Sequence, residues 1–265
     1  ANAVGECYND TTFGEAGISI ADGYTVGLNS ITLSVATGER HDGTAGSGAR
    51  ILQGSDWGGS GDGFVLYVNS RLPVIVEWLE FDQAGYEHNN SGDGGIINAK
   101  ALYSSDGYHK TVRNCLIYHA TYDKSTSAID ISDYRTGKTI TNNIIYRIGI
   151  NGSYPLRGIS IGTVSHPTYV YNNTIHNVLA NTTTANRGIG ISASEDDAEL
   201  FVKNNLVTDC GNNSGDQCFE DTTYSTASFD YNASSDTTAK GTNSLNDITA
   251  VNQYVNDTEG SEDLH

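Results

Sequence analysis

At 265 residues the chain carries 32 acidic against 14 basic side chains, a formal charge of −18. Binding nucleic acid takes Lys and Arg to displace counterions from phosphates, so this surface excludes a polyanionic partner and better suits a divalent cation or a salty solvent. No apolar run approaches the ~18 residues of a spanning helix, which excludes membrane insertion, and 30 glycines, 16 tyrosines and abundant Ile and Val favour strands over long helices.

Residues 1–63 form an expected amino-terminal cap with the first irregular coils. Within it, Arg40-His41-Asp42-Gly43 reads as a polar turn joining strands rather than a catalytic His–Asp pair. Residues 64–235 carry a repeat. FVLYVNS and PVIVEWLEF make an early, less regular turn. Four related segments follow: TVRNCLIYHA from Thr111, TITNNIIYRI from Thr139, TYVYNNTIHN from Thr168 and LFVKNNLVTD from Leu200. They align Asn114, Asn142, Asn172 and Asn204 in one column, at intervals of 28, 30 and 32 residues. The next column holds Cys115, Asn143, Asn173 and Asn205. Branched apolar columns flank both, with Val112, Ile140, Val170 and Val202 before and Ile117, Ile145, Ile175 and Val207 after.

Between these segments SAIDIS, RGISIG and RGIGIS bring Ile129, Ile159 and Ile189 round every 30 residues, each followed two residues later by Ile131, Ile161 and Ile191. Alternation with a period of two marks strands with one buried face. A fixed long period marks a stacked solenoid. Helical solenoids are excluded, because the three-four apolar spacing of a helix is missing. The expected fold is therefore all-β: a right-handed parallel β-helix with coils of about 30 residues. The asparagines fit its bends. Asn tolerates left-handed backbone geometry, and stacked amides can bond coil to coil in a ladder. Asn114, Asn142, Asn172, Asn204, Asn143, Asn173 and Asn205 are all expected in that structural role. Residues 236–265 read as a carboxy-terminal segment cut short before a last coil.

These segments resemble the repeats of right-handed parallel β-helix proteins of the pectate-lyase-like superfamily, known for asparagine ladders at one bend. The two ends of the chain resemble uncharacterised β-helix repeat proteins from environmental and marine phage-like sequences. The resemblance implies the fold. It does not imply one activity, since the superfamily holds lyases, hydrolases, epimerases, phage tailspikes and structural proteins.

The candidate chemistry is sparse. A polysaccharide lyase needs a base and a cation that neutralises the substrate carboxylate. Glu195, Asp196 and Asp197 could hold Ca²⁺ with hard oxygen ligands, and Lys203 or Arg187 lies nearby as a base; the competing reading is an acidic turn. A glycoside hydrolase needs two carboxyls flanking the scissile bond. Asp130 lies between Ile129 and Ile131, with Ser160 and Gly190 expected in its column, and Asp133 is the acid that could pair with it across the bend. A surface stripe of Tyr118, Tyr146 and His176, followed by His119 and Arg147, would suit a sugar, with flat faces for its ring and polar groups for its hydroxyls. The competing reading is a stripe that stabilises the exterior. Cys210 and Cys218 flank a polar stretch that a disulfide could close in an oxidising compartment, while Cys115 reads as a small buried hydrophobe. Eight N-x-S/T sequons, Asn172 and Asn232 among them, do not establish glycosylation in a chain so rich in Asn, Ser and Thr.

The function expected from these residues is a structural solenoid of an extracellular or virion surface. It would engage glycans and assemble with copies of itself as a trimer or filament. The alternative is a secreted polysaccharide lyase or glycoside hydrolase using Ca²⁺.

Overall fold

The computed structural model describes residues 1–11, 13, 18–21, 27–52, 65–82, 87–88, 94–98, 109–122, 126–131, 137–150, 155–162, 166–179, 188–193, 200–211, 215–221, 227–250 and 253–254. These residues form a parallel β-solenoid with three sheets running along its axis. Sheet A contains Asn2–Cys7, Ser30–Val35, Val74–Glu77, Lys110–Arg113, Lys138–Thr141, Thr168–Tyr171, Leu200–Lys203 and Ser228–Asp230. Sheet B contains Arg50–Leu52, Glu80–Asp82, Leu116–Tyr122, Ile144–Ile150, Thr174–Leu179, Leu206–Cys210 and Ala233–Ser234, with Glu87–His88 beside Leu116–Tyr122. Sheet C contains Ile18–Ala21, Leu66–Asn69, Gly94–Asn98, Thr126–Ile131, Leu156–Ile161, Gly188–Ala193 and Gln217–Asp221. No helix of the described residues is long and apolar enough to cross a membrane.

The apolar columns fill the bore. Val112, Ile140, Val170 and Val202 point inward from sheet A, and Ile117, Ile145, Ile175 and Val207 from sheet B; all are buried in one core. Each such side chain stabilises the fold by about 1.5–3 kcal/mol, so a coil that adds one to every sheet extends the core at each ~4.8 Å step.

Sheet C departs from the expected alignment. Ile159 pairs with Ile191 rather than Ile189, and Ser160 with Ser192 rather than Gly190. The physical reason is that one coil advances all three sheets together. Val170 to Val202, Ile175 to Val207 and Ile159 to Ile191 are each 32 residues apart. Gly190 instead turns inward, where an added Cβ would lie 2.2 Å from Val207 and 2.7 Å from the Cys218 carbonyl.

The two asparagine columns do different jobs at the corner between sheets A and B. Asn114, Asn142, Asn172 and Asn204 take positive φ, between 53° and 58°. Each donates its backbone N–H to the next coil, Asn142 to the Tyr171 carbonyl for example. Asn142, Asn172 and Asn204 are exposed, and Trp78 and Tyr231 occupy the same left-handed corner in other coils. The expectation that this column belongs to the ladder is thus corrected: it supplies the backbone turn. The ladder is the second column. Asn143 Nδ2 donates to Asn173 Oδ1 at 2.9 Å, Asn173 to Asn205 at 2.9 Å and Asn205 to Asn232 at 3.0 Å. Each Oδ1 also accepts a backbone N–H from the preceding coil, beginning with that of Cys115. The second Nδ2 proton bonds a carbonyl of the preceding coil, Val112, Ile140 or Val170. Every polar atom of these buried amides has a partner, as burial requires. Asn232 is a rung that the sequence did not announce, and its buried amide is closed to glycosylation.

A second left-handed column, His119, Arg147, Asn177 and Asp209, kinks the sheet B strands. At the carboxy-terminal end, residues 236–250 fold across the bore. Asp236 accepts the N–H groups of Cys218 and Thr238, Asn246 accepts that of Ala239, and Ala239 and Ala250 are buried.

Candidate functional site

Outward-facing side chains could carry chemistry on each sheet. On sheet B the register column runs Asp82, Tyr118, Tyr146, His176 and Thr208. Tyr118 and Tyr146 stack at 5.4 Å with planes 11° apart, and each is only 1% exposed. The stripe expected to take a sugar on Tyr118, Tyr146, His176 and Arg147 therefore offers it no open ring, because other parts of the chain cover this face. Residues 38–48 are fastened over it by Glu80, which accepts Gly46 N–H at 2.7 Å, Gly48 N–H, and the Tyr118 hydroxyl at 3.0 Å. His41 in the same turn bonds the Asn114 carbonyl at 2.8 Å, and Arg40 lies 4.7 Å over the Trp78 ring. At the other end Tyr254 packs on His176 and meets the Thr208 hydroxyl at 2.6 Å. Burial first, then the Glu80 and Asp82 charges, push the Tyr118 phenol well above its ordinary range.

The charged groups at the rim are tied to one another. Asp82 lies 3.5 Å from Arg50 and 3.4 Å from His119 Nδ1. Arg147 donates to His119 Nε2 at 2.7 Å. Arginine has no acceptor, so Nε2 must accept and the ring proton sits on Nδ1, facing Asp82. This arrangement leaves Nε2 no lone pair with which to take a substrate proton.

On sheet C the column is Asn98, Asp130, Ser160, Ser192 and Glu220. Ser192 donates to Glu220 at 2.7 Å, and both are buried. Asp130 and Glu220 are three strand steps apart, about 14 Å at ~4.8 Å per step. Paired glycosidase carboxyls need about 5–9.5 Å, so these two do not form such a pair. Asp133, Glu195, Asp196 and Asp197 lie outside the described residues, and the Ca²⁺ expectation lies there with the last three. Among the described residues no group of three or more His, Cys, Asp or Glu is arranged to hold a metal.

The cysteines are free thiols, which corrects the expected Cys210–Cys218 bridge. Both face inward and fill the bore, where Cys210 Sγ donates to the Thr208 carbonyl and Cys218 Sγ meets the Ser235 hydroxyl, each at 3.7 Å. Burial, then the neighbouring Cys218, holds the Cys210 thiol well above its usual range. Cys115 is fully buried and its thiol is pushed up to about 12.

Sheet A presents an open outer face. One column holds Thr111, Thr139, Tyr169, Phe201 and Ser228; the other holds Glu77, Arg113, Thr141, Tyr171, Lys203 and Asp230. Tyr169 and Phe201 stack at 5.2 Å with planes 12° apart, and Tyr171 stands 5.7 Å from Tyr169. Glu77 pairs with Arg113 at 2.6 Å and accepts the Ser34 hydroxyl at 2.9 Å. Lys203, a candidate base, lies here, 5.8 Å from the Phe201 ring, with Tyr171 and Asp230 as register neighbours. Sequence reasoning passed over Tyr169, Tyr171 and Phe201, although their alternation with buried Val170 and Val202 marks them as outward-facing.

No family model matches the chain, and neither a curated protein nor a solved structure matches it.

Proposed function

We propose that the chain is a non-catalytic structural β-solenoid of an extracellular or virion surface, one that engages glycans without cleaving them. Its likeness to pectate-lyase-like repeats is carried over as a likeness of fold only. One observation carries this reading: among the described residues, several outward or buried polar groups that could do chemistry are bonded coil to coil. Glu80 holds the 38–48 turn, His119 is clamped between Asp82 and Arg147, Ser192 holds Glu220, and the asparagines hold one another. A general acid or base must be able to reach a substrate proton, and groups so engaged are poorly placed to do so. The lyase or hydrolase reading is tested by incubating the protein with pectate, alginate, hyaluronan, chondroitin and neutral glucans, with and without Ca²⁺. The expected result is no release of reducing ends or unsaturated products. Steady turnover that Asp130→Asn or Lys203→Ala abolishes would replace the structural reading with a catalytic one.

Self-assembly belongs to the same proposal. Strand Asn2–Cys7 has Ser30–Val35 on one side and no strand on the other among the described residues, and its Val4 is 66% exposed. A free strand edge pairs readily with another chain. The partner proposed is a second copy of this chain. Because each copy carries −18 charges, association should strengthen as salt screens their repulsion. Sedimentation velocity at rising NaCl is expected to show a growing oligomer, trimer or filament, that Val4→Glu suppresses; a monomer at every salt concentration would remove this part of the proposal.

A further inference from the structure

We infer that the step on sheet A, where Tyr169 and Tyr171 rise beside Thr139 and Thr141, is a binding site for neutral pyranose glycans. The Tyr169–Phe201 ring separation of 5.2 Å is close to the ~4.8 Å between strands, so these rings stand across the solenoid axis with their faces pointing along it. Phe201 covers one face of Tyr169. On the opposite side the register neighbour is Thr139, and that of Tyr171 is Thr141. Threonine is too short to continue a stack of rings. The uncovered Tyr169 face at this step therefore looks over short hydroxyl side chains, with the Tyr171 ring inclined beside it, whereas the similar Tyr118–Tyr146 stack on sheet B is buried.

The wall is two phenol rings wide, with centroids 5.7 Å apart and planes inclined by 54°. Its floor is Thr139 and Thr141, with Thr111 and Arg113 one coil further. Tyr169, Tyr171 and the four floor residues are all partly exposed. Thr139 Oγ1 meets His109 Nε2 at 2.8 Å and Thr141 Oγ1 donates to Asn142 at 3.3 Å, and each hydroxyl keeps acceptor capacity for a ligand hydroxyl. An apolar aromatic wall beside a hydroxylated floor matches a pyranose, whose C–H face is apolar and whose rim bears hydroxyls.

Charge selects among glycans. Arg113, the cation of the floor, is paired with Glu77 at 2.6 Å. The chain as a whole is strongly acidic, which disfavours uronate polymers. The inference rests on the non-catalytic reading only in expecting the glycan to be released intact.

The test is titration calorimetry with cellohexaose, xylohexaose and mannohexaose, with hexagalacturonate as the acidic comparison, and chromatography of each sugar afterwards. Saturable binding of at least one neutral hexaose is expected, stronger than that of hexagalacturonate. Tyr169→Ala should weaken it at least about tenfold by removing a wall ring. Thr139→Tyr should weaken it at least about tenfold by extending the ring stack over the step, with the circular dichroism spectrum unchanged. Tyr171→Phe keeps the ring and should retain most of the affinity. No binding of any neutral hexaose overturns the inference, and so does binding that both Tyr169→Ala and Thr139→Tyr leave intact. Tighter binding of hexagalacturonate overturns the assigned ligand class. Cleavage of a bound sugar would instead overturn the non-catalytic reading and leave the site standing.

Discussion

Asn173→Ala is expected to destabilise the protein by about 3–5 kcal/mol, whereas Asn172→Ala, one residue earlier, should cost only about 1–2 kcal/mol. Asn173 Oδ1 accepts from the Asn143 backbone and side chain, and its Nδ2 donates to the Ile140 carbonyl and to Asn205. Alanine leaves those groups short of partners in a place water does not reach, and each such loss costs about 1–3 kcal/mol, with imperfect additivity. Asn172 is exposed with φ of 56°. Its substitution costs the left-handed strain of an alanine, and Asn172→Gly should recover that cost. Urea denaturation of the three variants measures the contrast. Equal effects at the two positions would contradict the division of labour between the columns.

The second large effect is expected at Glu80. This fully buried carboxylate is the acceptor shared by Gly46 N–H, Gly48 N–H and the Tyr118 hydroxyl. Glu80→Ala should cost about 3–5 kcal/mol, because it strands buried donors and empties the site that held them. Limited proteolysis should then cut within residues 38–48, and the Tyr118–Tyr146 stack should become accessible. Loss of under about 1 kcal/mol would show that the turn is held by other contacts. Tyr118 adds a pH dependence whose sign follows from its raised phenol. Below pH ~10 both states keep the proton; above it the unfolded chain ionises first, so stability falls as pH rises through and beyond that value.

The repeat was legible because stacking places chemically similar residues one above another. Inward Ile and Val recur at coil spacing, and polar residues do not disturb their columns. What could not be read was which of two adjacent asparagines turns the chain and which bonds the coils, since both roles suit the same side chain. Neighbouring coils give the answer. Trp78 and Tyr231 share the left-handed corner, and neither could serve as a ladder amide. Asn232 was hidden for the same reason, because Tyr231 replaces the first asparagine of its pair. Sheet C slipped by two residues because Ile189 and Ile191 both fit an apolar column, and only the shared advance of the coil separates them.

The outer faces were harder still. Tyr118 and Tyr146 alternate with the inward Ile117 and Ile145, which places them outside the bore on sheet B. Nothing local revealed that a turn anchored more than 30 residues before Glu80 would be held against Tyr118 by that carboxylate. Partly open rings stand on sheet A, where no described segment folds across Tyr169 and Tyr171. Burial of an outward column depends on distant loops, and periodicity carries no information about them.

The central claim is that the side-chain amides of Asn143, Asn173 and Asn205 bind the coils together, while Asn142, Asn172 and Asn204 serve the backbone turn and leave their amides outside the ladder. Side-chain amide exchange, followed by NMR after transfer to D₂O, tests it most directly. The NH₂ protons of the first three are predicted to persist long after those of the second three have exchanged. Equally fast exchange at all six, or protection of Asn142, Asn172 and Asn204 instead, would contradict the account.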